Sequence, residues 1–81
     1  MSDKLIATVA DTLQVSPELV QESTSMENTP EWDSLRHFAL ILAVEEAFDV
    51  HFSSDDIPSL TAVAALRAEL LRQGRDPGAS S

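Results

Sequence analysis

Three stretches of the chain place apolar side chains at helical spacing, and polar, turn-forming stretches separate them. In the first, Leu5, Ile6, Val9, Ala10 and Leu13 recur along one face, which is the period of a helix and not the alternation of a strand. This predicts a helix over Ser2 to Gln14, with Ser2 as its N-cap and Asp3 favourably charged in its first turn. Val15-Ser16-Pro17-Glu18 ends it, because the residue before a proline is driven out of the helical region while the proline suits a new first turn. A single turn through Leu19 and Val20 is expected. From Gln21 to Trp32 the chain is polar without a period and reads as a long surface loop, a kind that in small domains is either functional or mobile. Val20, Met26 and Trp32 are its expected anchors.

The second periodic stretch, Ser34 to Phe48, follows Asp33, a good N-cap residue whose carboxylate accepts from free N–H groups of the next turn. Around the wheel, Leu40, Val44 and Phe48, helped by His37, Ile41 and Ala47, form one apolar face and are assigned to the core. Roughly opposite lie Leu35, Phe38, Ala39, Leu42 and Glu46, where a simple surface helix would carry charge. A second apolar face points to an interaction surface. Ser34 then sits at the first helical position, at the positive end of the macrodipole, which favours a phosphate group.

Asp49-Val50-His51-Phe52 crosses to the next element, with Phe52 expected in the core. Ser53 is placed as a cap with Asp56 three residues on, opening a helix that Pro58 keeps to one or two turns. Thr61 is expected to cap the last helix, whose buried stripe is Val63, Leu66 and Leu70 with Ala62 and Leu71, and Gly74 to stop it. Residues 1–73 form the folded domain, and residues 74–81, with no large apolar side chain, are expected to be a disordered tail. The fold class is therefore all-α, a small bundle of three main helices plus one short helix with a long first loop.

Composition narrows the partners. The 81 residues suffice for one small domain, 43% of them hydrophobic with one Trp and three Phe, so aliphatic side chains fill most of the core. Fourteen acidic against five basic residues leave a net charge of −9, which repels nucleic acid and anionic membranes and attracts proteins with basic patches. With no cysteine there is neither a disulfide framework nor a thiolate metal site, and any thiol must be imported. Two histidines among scattered carboxylates make no metal spacing. No apolar run spans a membrane and no secretion signal opens the chain, so a cytoplasmic monomer is expected.

Asp33-Ser34-Leu35 opening a helix, Val44-Glu45-Glu46-Ala47-Phe48 closing it, the long loop before and the short helix before Thr61 together resemble the acyl carrier protein family over residues 3 to 73. The resemblance implies an acyl-carrier-protein-like bundle in which Ser34, flanked by Asp33 and Leu35, carries 4′-phosphopantetheine transferred from coenzyme A by a phosphopantetheinyl transferase. It implies a carrier and not an enzyme, the chemistry belonging to acyl-loading and acyl-using partners. Docking falls to Leu35, Arg36, Phe38, Ala39, Leu42, Glu45 and Glu46. Family members often place acidic residues along this helix, whereas Arg36 and Ala39 stand here, so docking leans on Leu35, Phe38 and Leu42. Trp32 before the Asp is similar to stand-alone carriers of specialised pathways, such as polyketide or polysaccharide-modifying systems. Two other readings stay open. One is a peptidyl or aminoacyl carrier, a class that usually shows glycines where Glu31-Trp32-Asp33 stands. The other is an unmodified acidic adaptor using the Leu35, Phe38 and Leu42 face. A bundle this size filled with Leu and Val has no spare cavity, which favours short or polar cargo.

Overall fold

The computed structural model describes residues 3–75. Within them the chain forms α1 (Lys4–Leu13), α2 (Ser34–Phe48) and α3 (Val63–Arg72), with single 3-10 turns at Pro17–Leu19 and Ile57–Ser59 and no strand. α1 packs chiefly against α2 and less against α3. The periodic residues meet in one core: Leu5, Val9, Ala10 and Leu13 of α1, Leu40, Ile41, Val44 and Phe48 of α2, and Val63, Leu66 and Leu70 of α3 are all buried. Phe52, Leu60 and the loop residues Val20 and Trp32 complete it, while Met26 packs at its edge. Each fully buried side chain of this kind contributes about 1.5–3 kcal/mol over its exposed state, which is how a chain this short holds its fold.

Caps differ from the expected ones. Asp3, and not Ser2, caps α1, its Oδ1 accepting from the N–H groups of Leu5 at 3.0 Å and Ile6 at 3.2 Å. Ser2 lies outside the described residues. α3 has no side-chain cap, for Ala62 stands at its N-cap position. The long loop supplies the missing partner instead: Val63 N–H donates to the Thr24 carbonyl at 2.9 Å, and Met26 N–H donates to the Thr61 carbonyl at 2.8 Å. Backbone thus replaces the side-chain cap expected of Thr61. Between Ser53 and Val63 the short helix reduces to the Ile57–Ser59 turn, and Ser53 does not cap it; its Oγ accepts from Asp55 N–H at 3.3 Å.

All three helices end in a left-handed residue: Gln14 at φ 60°, Asp49 at φ 53° and Gly74 at φ 79°. At the end of α3, Gly74 N–H donates to Leu71 O and Arg75 N–H to Leu70 O, the paired bonds of a Schellman stop. Gly74 and Arg75, assigned to the tail by composition, therefore belong to the fold, and Arg75 also donates to the Asp49 carbonyl at 2.9 Å. The remainder of that expected tail, 76–81, lies outside the described residues. Leu71, placed in the stripe, is exposed instead, since it falls a third of a turn past Leu70.

Candidate functional site

Asp33 makes the helix start that the site is built on. Its Oδ1 accepts from Arg36 N–H at 2.8 Å and its carbonyl from His37 N–H at 2.8 Å. The N–H groups of Ser34 and Leu35, the first two of the helix, have no intrahelical acceptor by geometry and face outward at its positive end. Ser34 is exposed, and its hydroxyl takes no hydrogen bond among the described residues. A hydroxyl so placed is open to a covalent phosphate ester, with the free N–H groups beside it.

Outward from Ser34 along α2 runs an apolar stripe. Leu35 is 79% exposed, Phe38 63% and Leu42 65%, with Ala39 exposed between them and Glu46 at the far end. Leu35, Phe38 and Leu42 thus keep most of their surface in solvent. Arg36 and Glu45, grouped with them by sequence, have intramolecular partners. The Arg36 guanidinium donates to the carbonyls of Leu13 at 3.1 Å and Thr12 at 3.4 Å. Its charge thereby leaves the positive end of α2 and meets the negative end of α1, the favourable direction for both dipoles. Glu45 turns inward: its Oε2 accepts from Phe52 N–H at 2.8 Å and stands 3.4 Å from His51 Nδ1. This carboxylate anchors the connection after α2, while Glu46, the other member of the acidic pair expected for docking, is exposed.

Behind Ser34 lies a buried polar contact. Trp32 and His37, both buried, are respectively the residue before the N-cap and the fourth of the helix, the two positions of a hydrophobic staple. Here the staple is polar. Trp32 Nε1–H donates to His37 Nδ1 at 3.1 Å, with the rings 6.1 Å apart, and His37 Nε2 meets the Ile57 carbonyl at 2.9 Å. An indole only donates and a carbonyl only accepts, so Nε2 carries the proton and the imidazole is neutral in this arrangement. Trp32 as a loop anchor and His37 on the core face were expected, but neither their mutual bond nor the bond to Ile57, twenty residues on, has a signal in the sequence.

A clamp ties the long loop to the helices. Arg67 of α3 donates to Asp3 Oδ2 at 2.7 Å and to both oxygens of Glu22, at 2.9 and 2.8 Å. Burial acts to raise the Asp3 carboxyl, but the Arg67 hydrogen bond, the N–H groups of Ile6 and Leu5 and the Arg67 charge outweigh it and hold its pKa below the usual 3.8. Burial likewise opposes the Arg67 charge, and the two carboxylates more than restore it.

An open groove of about 500 Å³ runs between α1 and α2, floored by Ala7, Ala43 and Ala47 and rimmed by Lys4, Asp11 and Glu46. It is lined from α2 by Ala43, Glu46 and Ala47, towards the end of the helix opposite Ser34. Among the described residues no group of three or more His, Asp or Glu comes together to hold a metal ion, and no helix is long and apolar enough to cross a membrane. No family model matches the chain, and no curated protein is found similar to it.

Proposed function

We propose that this chain is a carrier domain of the acyl carrier protein kind, modified on Ser34 with 4′-phosphopantetheine by a phosphopantetheinyl transferase. The observation that carries the reading is the exposed, unbonded Ser34 at the capped start of α2, heading an apolar stripe of exposed side chains. The group fits the residues present: an ester oxygen on Ser34 places its phosphate beside the free N–H groups of Ser34 and Leu35, and nothing buried has to open to admit it. When attached, the arm supplies the thiol that a cysteine-free chain lacks, holding acyl groups as thioesters. Asp33 keeps the helix start in place. Leu35, Phe38, Ala39 and Leu42, with Glu46 at the rim, form the surface that acyl-loading and acyl-using enzymes meet. Tethering raises the local concentration of cargo at each partner without catalysis by this chain. A cytoplasmic monomer serving a specialised pathway is the setting proposed.

Incubating the unmodified chain with coenzyme A and a promiscuous phosphopantetheinyl transferase tests this by intact mass. The wild type gains one phosphopantetheinyl group and Ser34→Ala gains none. No gain on wild type, or an equal gain on both, rejects the carrier reading and leaves the unmodified adaptor, whose partner binding survives Ser34→Ala and is lost with Leu42→Asp.

A further inference from the structure

The exposed serine inherits its position from the backbone alone, because its side chain touches nothing that holds it. Two devices fix that backbone. One is the Asp33 cap; the other is the chain of hydrogen bonds from Trp32 through His37 to Ile57. The second spans Ser34 from two residues before it to three after, closing a short ring around the anchor turn. It also ties that ring to the segment carrying the Ile57–Ser59 turn, which has no helix of its own beyond that turn. If only packing were required, an aliphatic side chain at position 37 would fill the space without burying two ring nitrogens. A buried polar group that is fully bonded fixes one geometry where an apolar one permits several, and no buried side-chain nitrogen or oxygen is left unbonded among the described residues.

We infer that the Trp32–His37–Ile57 bridge is a positioning device for the reaction at Ser34, holding the hydroxyl in register with the apolar stripe that a partner grips. The inference rests on the carrier reading. In that reaction the Ser34 oxygen forms a bond to phosphorus while the phosphoanhydride of coenzyme A breaks. The nucleotide half leaves, and the hydroxyl proton passes to a base of the transferase. A partner bound to Leu35, Phe38 and Leu42 has its own phosphate donor at a fixed distance from that stripe. A serine displaced by a loosened turn therefore slows the chemical step without weakening docking.

Trp32→Phe removes the indole donor and keeps a buried ring, and Leu70→Ala in α3, which takes no part in the bridge, serves as a destabilised control. With coenzyme A saturating, Trp32→Phe is expected to lower kcat for Ser34 modification about tenfold with KM for the carrier nearly unchanged. Leu70→Ala keeps kcat at a temperature where it is folded. An unchanged kcat in Trp32→Phe, or an equal fall in the control, overturns the inference. A second readout needs no coenzyme A: backbone 15N order parameters of Ser34 and Leu35 drop from about 0.85 toward 0.6 in Trp32→Phe and hold in Leu70→Ala. Rigid amides in Trp32→Phe overturn the bridge even if the wild type is modified. A wild type that takes no group rejects the carrier reading, while the order parameters still decide whether the bridge holds the turn.

Discussion

The two faces of α2 have similar chemistry and opposite fates. On one, Leu40, Ile41, Val44 and Phe48 are buried against α1, α3 and Phe52; on the other, Leu35, Phe38 and Leu42 stand mostly in solvent. Hydrophobicity alone does not separate them, since Leu occurs on both. The difference lies in which face the other helices cover: among the described residues α1 and α3 cover one and leave the other in solvent. An apolar face that folding leaves uncovered costs solubility and does nothing for stability, so its presence calls for a use after folding. Polar residues mark the boundary: His37 and Glu45 look apolar-side or solvent-side by the wheel, yet each is spoken for by a specific bond inside the molecule.

Substitution at matched leucines breaks this comparison most sharply. Leu40→Ala leaves a cavity in the core and is expected to destabilise by about 2–5 kcal/mol, enough to unfold much of a domain this small. Leu42→Ala, one residue type on the same helix, should shift stability by no more than about 0.5 kcal/mol. Thermal unfolding followed by circular dichroism checks both, and equal losses would place Leu42 in the core.

Arg36 tests the boundary between the faces. Arg36→Met keeps most of the stem but removes the donors to Leu13 and Thr12, and a loss of about 1 kcal/mol is expected, roughly 4–8 °C in Tm. The same variant should dock on the transferase as well as wild type. A weakened KM with unchanged Tm would return Arg36 to the outer face.

Acid sensitivity separates the core face from the clamp. The core face has no titrating bond among its aliphatic residues, whereas the Arg67 clamp has two carboxylates. Because the folded-state pKa of Asp3 lies below 3.8, its contribution is complete above the ordinary carboxylate range and is lost as the pH falls through the lowered value. Arg67→Met should therefore cost about 1 kcal/mol near neutrality and flatten the fall in stability below about pH 4. An unchanged slope in acid urea titrations would show that the clamp does not carry it.

Periodicity made the three helices and nearly all of the core legible, because burial of a helix face is what the spacing of Leu, Ile and Val records. Asp33 and the start of α2 were legible for the same local reason. What escaped was non-local. Asp3 displaced Ser2 as a cap because Arg67 arrives from α3 to hold its other oxygen; Thr61 lost its capping role because the loop carbonyl of Thr24 reaches Val63 first. Arg36 and Glu45 were grouped with the outward stripe because their partners, Leu13 and the Phe52 backbone, are brought near by the fold and by no sequence spacing. At the site, Ser34 and the exposed stripe were visible in the sequence, and the bond from His37 to Ile57 was not.

The central claim is that Ser34, and no other hydroxyl, anchors the imported thiol. Fragmentation mass spectrometry of the wild-type chain after incubation with coenzyme A and transferase measures this directly. The account predicts the added group on the fragment that contains Ser34, with every other serine and threonine unmodified. A group found on any of those hydroxyls, or a chain that takes none, would contradict it.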